Sequence, residues 1–492
     1  MKYISLLHNK YRMIIKYTGV IVMFIGVSII SPLLILLKYP SEWVYGKSFL
    51  VTSLFTLFLG YIFYIFGKQK KETTISLNEG GIIVLLSWII AIFFSTIPFV
   101  WSLSMTWTQG IFEAVSGWTT TGLSVMEVEK TPNIFLLWRS IMQLLGGAGL
   151  AVIALSSILP MQGLKLYQAE GRTDKLLPHV RRSTKMIVQI YFGYTLAGII
   201  LYYISGMDLF NAVNHSFAAL STGGFSTVNA SIGEWDNLQV ELITVLLMLL
   251  GTINFATHFA LIKGKVKIFF QNAEIKLMIF LISLSLPLIS FFSLMGIYNN
   301  LGESFRTGFF QLTSAISTTG FSTIDFNNWP DFANFIIILL MIIGGGTGST
   351  AGGIKQYRIY IIFKSIYWEI KHQFHPAHQI EENYVWRGED RWYIKNEQIR
   401  DIANYIFIYL LTYVAGVTIF LIKGYPLKES LFEFASALGT VGLSIGITNA
   451  QTSGLILWTE IIGMVLGRLE ILIIIFGFVK LFKDFNDFYQ RR

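Results

Sequence analysis

The chain has 492 residues and no cysteine, which excludes disulfides, thiolate nucleophiles and cysteine metal ligands. Charge is scarce: Asp, Glu, Lys and Arg make up 13% of the residues, against about 25% in soluble globular proteins. Proline is also rare, with 10 residues, so long helices go largely uninterrupted by it. What fills the sequence instead is apolar: 53% hydrophobic, with 40 Phe, 23 Tyr and 12 Trp, and a mean hydropathy of +0.59. A soluble domain cannot cover that much apolar surface, so an ordinary soluble enzyme is excluded and the bilayer is the solvent for most of the chain. The net charge of +8 does not point to nucleic acid; in membrane proteins a basic excess marks cytoplasmic loops. Lys2, Lys10 and Arg12 precede, and Lys16 stands near the start of, an apolar run over 13–37, like a signal peptide. That run is too long for one and lacks a small-residue cleavage site, so a retained first span is expected.

Ten apolar runs are long enough to cross a bilayer: 13–37, 48–67, 82–103, 132–160, 184–205, 237–262, 276–298, 332–363, 402–422 and 455–482. Alternating from a cytoplasmic start, the inside segments hold 28 Lys and Arg and the outside segments 7, with Lys355 and Arg468 left within apolar runs. A multi-pass protein with both termini in the cytoplasm is therefore expected. The outside connections after the third, fifth, seventh and ninth runs are too apolar for wet loops and too short for another crossing. Each reads as a re-entrant segment that enters the membrane and leaves on the same side.

Those four connections carry an internal repeat. The copies are Thr120-Thr121-Gly122-Leu123-Ser124, Thr222-Gly223-Gly224-Phe225-Ser226, Thr318-Thr319-Gly320-Phe321-Ser322 and Thr440-Val441-Gly442-Leu443-Ser444. The pattern is T-x-G-[LF]-S, and its glycines are 102, 96 and 122 residues apart. Small residues also serve helix packing in membranes. Packing asks for small residues along a helical face, however, not for one motif at the end of a half-helix in every unit. A cation path asks for this motif. A pore that strips K⁺ of water must offer carbonyl oxygens in return, so the backbone must be non-helical at membrane depth beside a wet cavity. Glycine permits the positive φ that turns carbonyls toward an axis, threonine adds a hydroxyl, and the preceding half-helix aims its negative end at the ion.

Two further features stand out. Gly344-Gly345-Gly346-Thr347-Gly348-Ser349-Thr350-Ala351-Gly352-Gly353 interrupts the eighth run and precedes Lys355. It loosely fits a dinucleotide-binding glycine pattern but follows a membrane run instead of a strand. At about 1 kcal/mol per glycine relative to alanine, it cannot hold a helix. It is either a packing kink or a movable loop in the pore. Arg468 lies inside the last run, two residues before Glu470. A charge there must face a partner or water, so it is either half of a structural ion pair, with Glu470 or an acid of a neighbouring helix, or a fixed charge in the permeation path. His215, Glu113 and Glu433 are expected to support the short helices. His258 alone is not a metal site, and His372, His375 and His378 lack acids at ligand spacing.

The repeats resemble the Trk/Ktr/HKT superfamily of K⁺ transporters over nearly the whole chain. The two leading spans make the sequence more similar to the Trk-type, TrkH-like branch than to the eight-span Ktr type. The resemblance implies an all-α membrane protein: about ten transmembrane helices, with four span–pore helix–span repeats around one channel-like pore. It implies two leading helices in 1–79 and repeats in 80–183, 184–273, 274–400 and 401–492. It places a K⁺ filter at Thr120, Thr121, Gly122, Thr222, Gly223, Gly224, Thr318, Thr319, Gly320, Thr440, Val441 and Gly442. Glycine at 122, where some sodium-permeable plant relatives have serine, favours K⁺ over Na⁺. Gating falls to Gly345, Gly346, Thr347, Gly348, Ser349, Gly352, Gly353, Lys355 and Arg468. The implied setting is a bacterial cytoplasmic membrane and a homodimer under a cytosolic nucleotide-binding ring of TrkA type. No covalently bound cofactor is expected, and K⁺ is the cargo. The basic, aromatic stretch from Lys364 to Arg400 is either a docking surface for that ring or an amphipathic helix against lipid. A cation-coupled transporter of a small solute is the rival, but it would call for inverted repeats, whereas these all start on one side. No paired-carboxylate or Ser/His/Asp arrangement in the spans supports a membrane enzyme.

Overall fold

The structure, a computed structural model, describes residues 2–68, 77–149, 180–298, 300–374, 382–387 and 390–490. Helices α1 (Lys2–Ile30) and α2 (Trp43–Phe66) form a leading hairpin. Glycines let them close: a Cβ on Gly19 would meet the Gly60 carbonyl at 2.7 Å, and Ser53 Oγ donates to the Gly26 carbonyl at 2.7 Å.

Four units of one design follow. Each has a long apolar helix, a short helix, an extended segment carrying the repeat, and a second apolar helix. The first is α3 (Leu77–Leu103), α4 (Trp107–Trp118) and α5 (Asn133–Ala148). The second is α6 (Val180–Ile204), α7 (Leu209–Leu220), α8 (Leu238–Thr252) and α9 (Phe255–Ile262). A short link, α10 (Val266–Gln271), leads to the third: α11 (Ala273–Phe292), α12 (Leu301–Ile316), α13 (Asp331–Ile343) and α14 (Gln356–Phe374). An antiparallel hairpin, β1 (Tyr384–Arg387) with β2 (Asp390–Tyr393), precedes the fourth. That unit is α15 (Asn396–Ile422), α16 (Leu427–Gly439), α17 (Gly454–Leu469) and α18 (Ile471–Gln490).

The second helix of three units differs from its sequence expectation. The runs 132–160, 237–262 and 455–482 read as continuous spans, yet in each the helix ends early, and the glycine run interrupts 332–363 as expected. The breaks fall at Gly149 (φ 92), at Ile253 and Asn254, over residues 344–355, and at Glu470 (φ 60). Mean hydropathy registers an apolar run and is blind to a break of one or two residues. Only the glycine run of the third unit announced itself. Residues 150–160 of the fourth run, the basic Lys165, Arg172 and Lys175, and His375 and His378 lie outside the described residues. Among the described residues six helical segments are long and apolar enough to cross a membrane, including the long first helix of each unit.

Polarity is distributed as in a membrane protein. Leu54, Phe55, Phe292, Phe407 and Ile422 are exposed on the outside, whereas Ser116, Ser216, Thr313, Ser314 and Ser436 of the short helices are fully buried. Three of the four short helices start at side-chain caps. Thr106 and Gln109 form a capping box, Asp208 accepts from Phe210 and Asn211 N–H, and Asn300 accepts from Gly302 N–H.

Candidate functional site: a ring of four backbone segments

Each short helix ends in the same turn. Thr120, Thr222, Thr318 and Thr440 have φ of 55°, 52°, 55° and 50°, and two residues on Gly122, Gly224, Gly320 and Gly442 have φ of 96°, 70°, 84° and 95°. A β-branched residue in the left-handed region is strained, so one strained turn occurring four times is imposed by the surroundings. The four segments close on one another. A Cβ on Gly122 would overlap the Gly223 carbonyl, one on Gly224 the Thr319 carbonyl, one on Gly320 the Val441 carbonyl, and one on Gly442 the Thr121 carbonyl. That cycle, first to second to third to fourth to first, is a closed ring of backbone. All twelve residues expected at the filter lie in it, and the C-terminal, partially negative ends of the four short helices lead into it.

The ring is braced from behind. Nine residues before each glycine stand Glu113, His215, Gln311 and Glu433, all fully buried. Glu113 Oε1 accepts from Ser124 Oγ and Val125 N–H, both at 2.7 Å. His215 Nδ1 lies 2.9 Å from the Asn211 carbonyl, which only accepts, so Nε2 accepts from Ser226 Oγ at 3.1 Å. Gln311 Nε2 donates to Thr323 Oγ1 at 3.0 Å. Glu433 accepts from Ser444 Oγ at 2.7 Å, Ile445 N–H at 3.0 Å and Thr448 N–H at 3.1 Å. Each brace thus reaches the serine of its own motif or a residue just beyond it. At the outer surface Arg306 of α12 grips Glu241 through two nitrogens, at 2.7 and 2.8 Å, and Asp236 at 3.0 Å. Hydrogen bonding to Glu241 is the main cause that raises its pKa above the ordinary arginine value.

The two glutamates are balanced differently. Glu113 forms a buried ion pair with Arg139 at 3.2 Å, and that guanidinium lies 3.9 Å from the ring centre of Phe225 in the next unit. Glu433 shares Thr448 Oγ1 with buried Glu460, at 2.6 and 2.8 Å. A hydroxyl has one proton to give, whereas an amide at 460 has N–H groups of its own to offer Thr448. Glu113→Gln should therefore cost about 3–5 kcal/mol by stranding Arg139, and Glu460→Gln should cost far less. Melting curves of the two purified variants in detergent check this; equal losses would show that the Arg139 pair carries no special weight.

Beneath the ring lies the loop 344–355. Thr350 Oγ1 is 3.1 Å from Thr222 Oγ1 and donates to the Gly251 carbonyl at 2.8 Å. Gly352 N–H donates to Thr318 Oγ1 at 2.7 Å, and a Cβ on Gly352 would overlap Thr440 Oγ1. The loop thus touches the left-handed threonines of units two, three and four. Gly346 N–H bonds the Thr252 carbonyl at 3.0 Å and Thr347 N–H bonds Glu274 at 2.6 Å. Ser349 Oγ reaches the Gly346 carbonyl at 2.6 Å. Gly344, Gly348 and Gly353 have positive φ, and Lys355 Nζ donates to the Ala351 carbonyl.

Arg468, in the last turn of α17, donates Nη1 to the Thr350 carbonyl of this loop and Nη2 to the Gly146 carbonyl at 2.6 Å. It therefore shares with Gly149 N–H a carbonyl in the last turn of α5, where a cation is also favoured by the helix dipole. Its sequence neighbour Glu470 pairs with Arg358 at 2.8 Å, so the suggested Arg468–Glu470 pair is replaced by Arg358–Glu470. His258 bonds the Leu250 carbonyl through Nε2 at 2.8 Å, a structural contact.

Sequence reasoning missed Arg139, Gln143, Glu274 and Glu460. Counting back a fixed nine residues from each motif glycine would have grouped the four braces, but these four sit on other helices and no local spacing marks them.

Comparison with known proteins agrees with this architecture. Residues 47–488 match the family model TrkH, described as a cation transport protein. An uncharacterized cation transporter of Methanocaldococcus jannaschii is 30% identical over 474 residues, 95% of each chain. The Trk system potassium uptake protein TrkG of Escherichia coli is 30% identical over 96% of this chain and 98% of its own. The crystal structure of the potassium transporter TrkH from Vibrio parahaemolyticus superposes with a TM-score of 0.82 at 28% identity, covering 94% of this chain and 98% of that one. With four unequal units closing one backbone ring and a family match over most of its length, the chain belongs to the TrkH family of cation transport proteins.

Proposed function

We propose that this chain is a potassium uptake protein, and that K⁺ crosses the membrane through the ring formed by Thr120–Gly122, Thr222–Gly224, Thr318–Gly320 and Thr440–Gly442. The observation that carries the reading is the closed cycle of left-handed Thr-x-Gly segments, each glycine set against the next segment's carbonyl. Such backbone replaces the hydration shell of an ion. Potassium uptake by the Trk relatives supports the same cargo. The loop Gly345–Gly353, with Lys355 and Arg468, acts as the gate, because it touches three of the four threonines from below. The protein works without a covalently bound cofactor, as a homodimer in a bacterial cytoplasmic membrane with both termini inside, and the basic, aromatic stretch from Lys364 to Arg400 is where a cytosolic nucleotide-binding ring docks.

The test is Rb⁺ and Na⁺ uptake into liposomes holding the purified protein under a K⁺ gradient, beside liposomes without it. Rb⁺ accumulation that external K⁺ suppresses and Na⁺ barely affects is expected. Gradient-driven uptake of an organic solute without Rb⁺ movement would replace this reading by a solute transporter.

A further inference from the structure

Three of the four ring segments are tied to their own short helix by a serine six residues before the glycine. Ser116 Oγ accepts from Gly122 N–H at 3.0 Å, Ser436 Oγ accepts from Gly442 N–H at 3.0 Å, and Ser314 Oγ donates to the Phe321 carbonyl at 2.6 Å. The second unit has Ala218 at that place and lacks this side-chain tie; its Gly224 N–H has only a long bond, 3.4 Å, to the Ala218 carbonyl. It also has Gly223 where the other units have Thr121, Thr319 and Val441. The backbone does not demand that glycine, since Gly223 is not among the residues with positive φ.

Gln143, fully buried on α5 of the first unit, accounts for both departures. Its Nε2 donates to the Gly223 carbonyl at 2.6 Å and its Oε1 accepts from Phe225 N–H at 3.2 Å. A Cβ on Gly223 would overlap this amide, with Oε1 at 2.5 Å and Nε2 at 2.8 Å. One turn earlier on the same helix, Arg139 lies over the Phe225 ring. The second segment is thus clamped on both sides of Gly224 from a neighbouring unit.

We infer that Gln143 is a specificity-determining residue for ion transfer: its amide stands in for the missing serine tie and missing side chain of the second segment and fixes the Gly223 carbonyl within the ring. The inference rests on the ring being the ion filter. Its chemical content is an asymmetry. Among the described residues only the Gly223 carbonyl, of the four facing the neighbouring glycines, accepts a hydrogen bond. A carbonyl whose lone pair is shared with an N–H offers an ion a weaker field, and field strength is one determinant of K⁺ over Na⁺ preference.

The experiment compares Rb⁺ uptake and its inhibition by Na⁺ in liposomes for Gln143→Leu, Gly223→Thr, Gln143→Ala with Gly223→Thr, and Gly320→Ser. Gln143→Leu removes both hydrogen bonds and should lower the K⁺ over Na⁺ preference about tenfold, the equivalent of one net buried hydrogen bond. Gly223→Thr alone collides with the amide and should abolish uptake. The double variant relieves the collision and supplies the side chain that the first and third segments have at this place, but neither the amide nor a serine at 218, so it should restore uptake and keep the lowered preference. If Gln143→Leu keeps the original preference while Gly320→Ser loses it, the ring is a filter and the role given to Gln143 is wrong. If neither variant shifts preference, the filter reading falls, and this inference with it. Should Gln143→Leu not fold, the pair decides: uptake by the double variant no better than that of Gly223→Thr overturns the inference.

Discussion

Replacing Arg468 by alanine should raise Rb⁺ uptake per folded protein by about a hundredfold. At ~6 Å and an effective dielectric near 20, a unit charge repels a passing cation by about 3 kcal/mol, and each 1.36 kcal/mol of barrier is worth tenfold in rate. In the proposed gate Arg468 is also a latch. It holds the Thr350 carbonyl of the loop and the Gly146 carbonyl at the end of α5, and Thr350 in turn contacts Thr222 of the ring. Charge and latch act in the same direction, since either loss opens the space below the ring. Lysine separates them: it keeps the charge but not the planar fork that spans two carbonyls, so Arg468→Lys should stay closer to the original rate than Arg468→Ala. Uptake in liposomes with a melting curve beside it is the measurement. A lower rate together with a lower melting temperature would make Arg468 a structural pin whose removal costs its bond to the Thr350 carbonyl, about 1–3 kcal/mol, and would end its role as a barrier.

The second large effect is expected at the ring itself. Gly320→Ser should lower K⁺ over Na⁺ preference by more than an order of magnitude. Serine at φ 84° is strained, and its Cβ would push the Val441 carbonyl out of place, so a change in the third segment disturbs the fourth. The same reasoning holds for Gly122, Gly224 and Gly442, each against the carbonyl of the next segment. Gly424 supplies the control. Its φ of 88° carries the same backbone strain, but a Cβ there meets nothing within 4 Å. Gly424→Ser should therefore leave ion preference alone. Preference that is unchanged in all four ring variants, in folded protein, removes the ring from selectivity altogether.

What could be read in the sequence, and what could not, follows from where each constraint acts. The ring was legible because a left-handed turn restricts residue type at its own positions, and four turns leave four copies of one motif. The loop was legible because a glycine run cannot hold a helix. The breaks after α5, α8 and α17 were not. Asn254 bonds the Thr347 carbonyl at 2.6 Å and Arg358 takes Glu470, so those breaks are stabilised by partners far along the chain. Arg468 was recognisable as a buried charge, but its partners are backbone carbonyls, which every residue has. Gln143 left only an indirect trace, the doubled glycine at 223 and 224, whose cause sits 80 residues away.

The cycle of contacts joins units of one polypeptide, and this fixes how the protein behaves in mixtures. The ring is complete when a single chain finishes folding, so dilution cannot take it apart. A cell expressing a damaged copy beside an intact one would hold two distinct kinds of conduit, with no hybrids between them. A defect in one quarter of the ring stays confined to the molecules that encode it, and ion preference measured on such a population should resolve into two components with no intermediate series.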